Sequence, residues 1–111
     1  MLDQVKSIIK EYEEEVLFDV EAPAHWYEVE FCNDNQMIIY EVDEYSFDGE
    51  EWGEVETSLI NTEVESIPCT LKQFTNFVIQ FYQTQLLYMR TSYPQEAYIL
   101  NKVVIRGVKY D

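Results

Sequence analysis

The sequence predicts one α+β domain over residues 1–111: an antiparallel sheet of about four strands packed against a long helix in the second half, with an amphipathic helix at the N-terminus. Two long stretches carry apolar residues at steps of three and four. Between them, three short stretches alternate apolar and acidic residues, and the chain closes on a β-branched run. A composition 47% hydrophobic and 15% aromatic can fill one core at this length.

The first helix is read from Leu2, Val5, Ile8, Ile9, Tyr12 and Val16, which line one face over about four turns. Glu11, Glu13, Glu14 and Glu15 fall on its polar side. Acids there oppose the helix dipole, so the helix is expected to end before Pro23. Trp26 to Cys32 sets Tyr27, Val29 and Phe31 against Glu28 and Glu30, the period of a half-buried strand. Asn33–Gln36 has turn chemistry. Met37 to Glu44 then forms the second arm of a hairpin, with Glu41 and Asp43 opposite Ile38, Tyr40 and Val42. A second turn at Asp48–Glu51 leads to a third strand over Glu54–Ile60, followed by an expected loop over Asn61–Ser66.

Thr70 and Gln73 have the spacing of a capping box and start the principal helix. Leu71, Phe74, Phe77, Val78, Phe81, Tyr82, Leu86 and Met89 are its expected core stripe, leaving a nearly uncharged amide surface that suits solvent or an interface. The run Tyr98–Tyr110 reads as the last strand.

Charge is the main functional signal. The formal net charge is −15, beyond what solubility asks of a small domain, roughly 2–8 in magnitude. It is also segregated: residues 1–67 hold 20 Asp or Glu against Lys6 and Lys10, a net of −18, while residues 68–111 hold 2 acids against 5 bases, a net of +3. Such a field repels free nucleic acid and anionic membranes and attracts basic surfaces. If the three acidic strands form a meander, Glu28, Glu30, Glu41, Asp43, Glu54 and Glu56 share one face. Their spacing would be about 6.6 Å along a strand and about 4.8 Å across strands, comparable to phosphates on nucleic acid. Stability does not favour such crowding, although a solvated outer face that discourages aggregation would look the same.

Other chemistry finds little support. His25 is the sole histidine, placed at a strand start, and reads as a partly packed residue rather than a catalytic base. Residues 44–55 resemble a calcium loop through Gly49, but Val55 stands where the bidentate glutamate belongs, so a hairpin turn is the better reading. Cys32 and Cys69 are too sparse for a zinc site or a disulfide framework. No phosphate-binding, metalloprotease or nucleophile-elbow motif occurs. Neither a secretory leader nor a membrane span is evident, so a cytoplasmic, non-enzymatic protein without cofactor is expected.

The favoured function is an inhibitor whose carboxylate face occupies the basic nucleic-acid-binding surface of a partner protein, a nuclease for example. Phage-encoded anti-CRISPR and anti-restriction inhibitors share this size and composition, though no sequence motif. Tyr45 and Trp52, flanking the acidic turn of Asp48, Glu50 and Glu51, would anchor the partner. Two alternatives are an immunity protein neutralising a basic toxin nuclease, and an assembly protein that homo-oligomerises through the 71–91 helix.

Overall fold

The computed structural model describes residues 1–16, 24–49, 53, 55–89 and 100–109. Along the chain the elements are α1 (Leu2–Val16), β1 (Ala24–Cys32), β2 (Gln36–Asp48), β3 (Val55–Pro68), α2 (Leu71–Met89) and β4 (Val103–Lys109). The strands form one sheet in the order β3-β2-β1-β4.

The sheet is mixed, not purely antiparallel. β1, β2 and β3 form the expected antiparallel meander, but β4 runs parallel to β1. The reason lies in the crossover: α2 carries the chain back along the sheet, so β4 resumes the direction of β3, which is also that of β1. β4 adds to the free edge of β1. One extra residue, Arg106, is accommodated where the register shifts beside Val29 and Glu30. Gly107 takes φ 101° at that bulge, a backbone conformation that side chains with a Cβ rarely adopt.

Hydrogen bonding also overrides the expected loop after the third strand, because residues 61–66 continue β3 in register with β2. They are polar because they lie on the edge strand, where exposure rather than pairing sets the residue type. A register shift between Ile39 and Tyr40 absorbs the added length. The tight β1–β2 connection uses Asn35 at φ 59°, a region asparagine tolerates.

Both helices pack on one face of the sheet. Leu2, Val5 and Ile9 of α1, and Phe74, Phe77 and Phe81 of α2, meet Tyr27, Val29, Phe31, Met37 and Ile39 in a continuous core. The capping box forms as expected: the Thr70 hydroxyl accepts from the Gln73 amide at 3.2 Å, and Gln73 Oε1 accepts from the Thr70 amide at 2.9 Å. The expected core stripe of α2 is only half right. Leu71, Tyr82 and Leu86 are exposed, as is Ile79, while Phe74, Phe77 and Phe81 are buried. A stripe from Phe77 round to Leu86 spans about half the helix circumference, and one sheet face cannot cover that arc. Cys32 and Cys69 are free thiols. No helix among the described residues is long and apolar enough to cross a membrane.

Candidate functional site

The strand register decides where the acidic residues point. Directly paired residues of antiparallel strands project to the same side. Glu28 pairs with Tyr40, and Glu30 with Ile38, on the face away from the helices. Glu41 pairs with Tyr27, and Asp43 with His25, on the helix face. The expected single lattice of carboxylates is therefore not formed: Glu28 and Glu30 lie on one side of the sheet, Glu41 and Asp43 on the other. Alternation within each strand was read correctly. What alternation cannot supply is which set of one strand matches which set of the next, and β2 contributes Met37 and Ile39 to the core rather than Ile38 and Tyr40.

On the outer face the acids are partly neutralised from within. Arg106 donates from Nη2 to Glu28 Oε2 at 3.2 Å and to Oδ1 of Asn61, and its guanidinium stacks 4.1 Å from the centre of the Tyr40 ring. Tyr40 donates a long 3.4 Å hydrogen bond to Glu30. Burial, and then the Glu30 charge, push the Tyr40 hydroxyl above its ordinary pKa.

On the helix face, Glu41 and Asp43 join an internal polar cluster with Glu13, His25, Tyr27 and Lys102. Nδ1 of His25 lies 2.7 Å from Asp43 Oδ1, and Nε2 lies 3.0 Å from the Tyr27 hydroxyl. A carboxylate oxygen accepts, so Nδ1 is the donor of the first contact. Glu13 is 6% exposed, against the expectation that it lies on the solvent side of the first helix. Its Oε2 pairs with Lys102 Nζ at 2.9 Å, and its Oε1 lies 3.3 Å from His25 Nε2. The cluster thus ties α1, β1, β2 and the residue preceding β4 together.

Donor atoms of His25, Glu41 and Asp43 all fall within 4.8 Å of one another. Imidazole and carboxylate are suitable ligands for a divalent cation, but here His25 Nδ1 and Asp43 already meet in a hydrogen bond. Burial pushes the Glu41 carboxyl above its ordinary pKa; His25 pulls against the rise, and Asp43 and Glu13 add to it. Burial and the Glu13 charge likewise raise Tyr27. His25, expected as a bland residue at a strand start, is the hub of this network. The signal that could have found it was its two-residue spacing from Tyr27 on the core side of β1.

A pH prediction follows from Glu41. Its carboxyl holds a proton more tightly in the folded chain than in the unfolded one, so its contribution to stability declines as pH rises above the ordinary value of 4.5. Glu41→Gln is expected to raise the unfolding midpoint at neutral pH and to lose that advantage below about pH 4.5. Denaturant titrations of both proteins across this range decide it; a variant less stable at pH 7 than at pH 4, relative to the parent, would show the sign to be wrong.

At the far end of the sheet, the β2–β3 hairpin outruns the described part of its neighbour. Among the described residues, pairing with β1 runs to Ala24↔Glu44, whereas β2 and β3 stay paired to Asp48↔Val55. Tyr45 and Ile60 are 43% and 48% exposed on the helix-side face of this free end, and Glu56, paired with Phe47, belongs to the same face. Leu59 is exposed on the other face, opposite Glu44. Of the expected partner-binding residues, Tyr45 and Glu56 are therefore brought together here. Asp48 ends β2, and Glu50, Glu51, Trp52 and Glu54 lie outside the described residues.

No known protein family, curated protein or solved structure matches this chain. A cavity of about 480 Å³ between α1 and β3, lined by Gln4, Ser7, Ile8, Glu65, Ser66, Ile67 and Pro68, shares no residue with the internal cluster or the hairpin end.

Proposed function

We propose that this protein is an acidic inhibitor that occupies the basic nucleic-acid-binding surface of another protein, docking through the free end of the β2–β3 hairpin. The observation that carries the reading is the exposed pair Tyr45 and Ile60, set among acidic residues in the part of the chain with a net charge of −18 over residues 1–67. An aromatic and an aliphatic side chain supply desolvated contact area, and the surrounding carboxylates steer a cationic partner into place. Competition with nucleic acid comes from occupancy of its groove and from like charge, not from an ordered copy of the phosphate array.

Displacement from purified basic nucleases tests this directly, with fluorescence anisotropy of a labelled DNA duplex as the readout. The protein is expected to release the duplex from its target, with an apparent affinity that falls as salt rises from about 0.1 M to about 0.5 M. Tyr45→Ala combined with Glu56→Lys is expected to weaken displacement by about 100-fold, the loss of one anchor plus a reversed charge. Displacement unaffected by both the substitutions and the salt would refute the proposal.

A further inference from the structure

The outer side of α2 carries an apolar stripe that none of the described residues covers. At about 100° per residue, Leu71, Thr75, Ile79, Tyr82 and Leu86 fall within about 80° of arc. Leu71 is 49% exposed, Ile79 52%, Tyr82 49% and Leu86 60%. These are among the larger apolar side chains of the protein, and they are aligned, not scattered singly. The same helix is the least charged element of a highly charged molecule: Leu71–Met89 contains Lys72 and no acid.

We infer that this stripe is the interface of a homodimer, in which α2 of one copy packs antiparallel against α2 of a second. Two molecules of net charge −15 repel one another wherever their acidic halves meet, and they approach at least electrostatic cost through an element without acids. A basic partner would bring its cations against an apolar face that offers them no counter-charge, and their desolvation would oppose binding. A second copy presents the same neutral, apolar stripe and so matches it in chemistry and in length.

Symmetry gives the contact a definite form. In a twofold, isologous pairing each contact occurs twice. An axis passing near Val78 and Ile79 places Leu71 opposite Leu86 of the other copy and Thr75 opposite Tyr82, with Ile79 close to the axis. The stripe would bury on the order of 500 Å² per copy, near the lower limit for a specific interface. The dimer is accordingly expected to dissociate in the micromolar range. Both hairpin ends remain outside the contact, so dimerisation is independent of the inhibitor reading and would double the number of acidic arms per particle.

Sedimentation equilibrium of the full chain tests the inference. The expected result is reversible association from 13.3 kDa to twice that mass. Salt provides a signature opposite to that of the acidic arm: raising it from about 0.1 M to about 0.5 M screens the repulsion between copies and tightens the dimer. Ile79→Glu places two like charges close together at the axis, and Leu86→Glu sets an unpaired carboxylate against the apolar Leu71 of the other copy; each is expected to weaken association by about 100-fold. Both sites are exposed, so circular dichroism should report an unchanged fold, and DNA displacement through Tyr45 should persist in the monomeric variants. A single 13.3 kDa species at about 0.2 mM protein and high salt overturns the inference, leaving the stripe to some other protein or surface. A dimer indifferent to both substitutions overturns it equally, since the contact would then lie elsewhere.

Discussion

Replacing Phe77 by alanine is expected to destabilise the protein by about 3–5 kcal/mol. Phe77 is 1% exposed and stands at the middle of an aromatic series, with ring centres 6.1 Å from Phe74 and 6.2 Å from Phe81. Phe31 of β1 extends the series, 5.4 Å from Phe74. Truncation removes the transfer free energy of the ring and leaves a cavity between helix and sheet that close-packed neighbours cannot fill by rotamer changes alone. A domain of this length is stable by only about 5–15 kcal/mol, so the variant loses a large share of its stability and its melting temperature should fall by about 15–25 °C. Leu86→Ala, on the exposed side of the same helix, is expected to shift the monomer's midpoint by less than about 0.5 kcal/mol. Comparable losses at both positions would show that α2 is seated on the sheet by a different face.

Lys102→Met is expected to be the most damaging substitution of a charged residue. Glu13 is almost wholly buried, and the Lys102 ammonium is the cation that meets its Oε2. Removing the lysine leaves a carboxylate out of water beside Asp43 and Glu41 with its main counter-charge gone. Breaking a buried pair costs about 3–5 kcal/mol, and because the Lys102 side chain keeps 24% of its surface exposed, the low end of that range applies. The double variant Glu13→Gln/Lys102→Met removes the stranded charge as well as its partner. It should recover much of the loss, and the difference measured in a double-mutant cycle by urea denaturation isolates the coupling. If the single and double variants were equally unstable, Lys102 would be acting by packing rather than by charge. The result also bears on chain order, because this ion pair joins α1 to the residue that leads into β4, 89 positions away.

These two expectations depend on the sequence to different degrees. Phe77 was legible as core from its spacing alone, since helical periodicity and the Thr70–Gln73 cap specify both the helix and its register. Glu13 was not. Its neighbours at helical spacing include Ile9 and Val16, so the position borders the apolar stripe, but a glutamate is ordinarily solvated; only the approach of Lys102 and His25 from distant parts of the chain makes its burial tolerable.

By itself the sequence determined the elements and the alternation within each strand: two helices, an acidic antiparallel meander, a closing β-branched strand, and free thiols. It also determined the segregation of charge, which is a property of composition along the chain. Tertiary structure alone decided three matters. It chose which alternate residues of β2 face the core, because register is fixed by pairing with β1 and a slip of one residue exchanges the two faces. This choice divides Glu28 and Glu30 from Glu41 and Asp43 and turns a supposed surface lattice into an internal network around His25. It made β4 parallel to β1, since direction depends on the path of α2 across the sheet and not on anything local to Val103–Lys109. And it left Ile79, Tyr82 and Leu86 uncovered on α2, because a helix resting on one sheet can bury only one sector of its circumference, whatever the hydrophobicity of the rest.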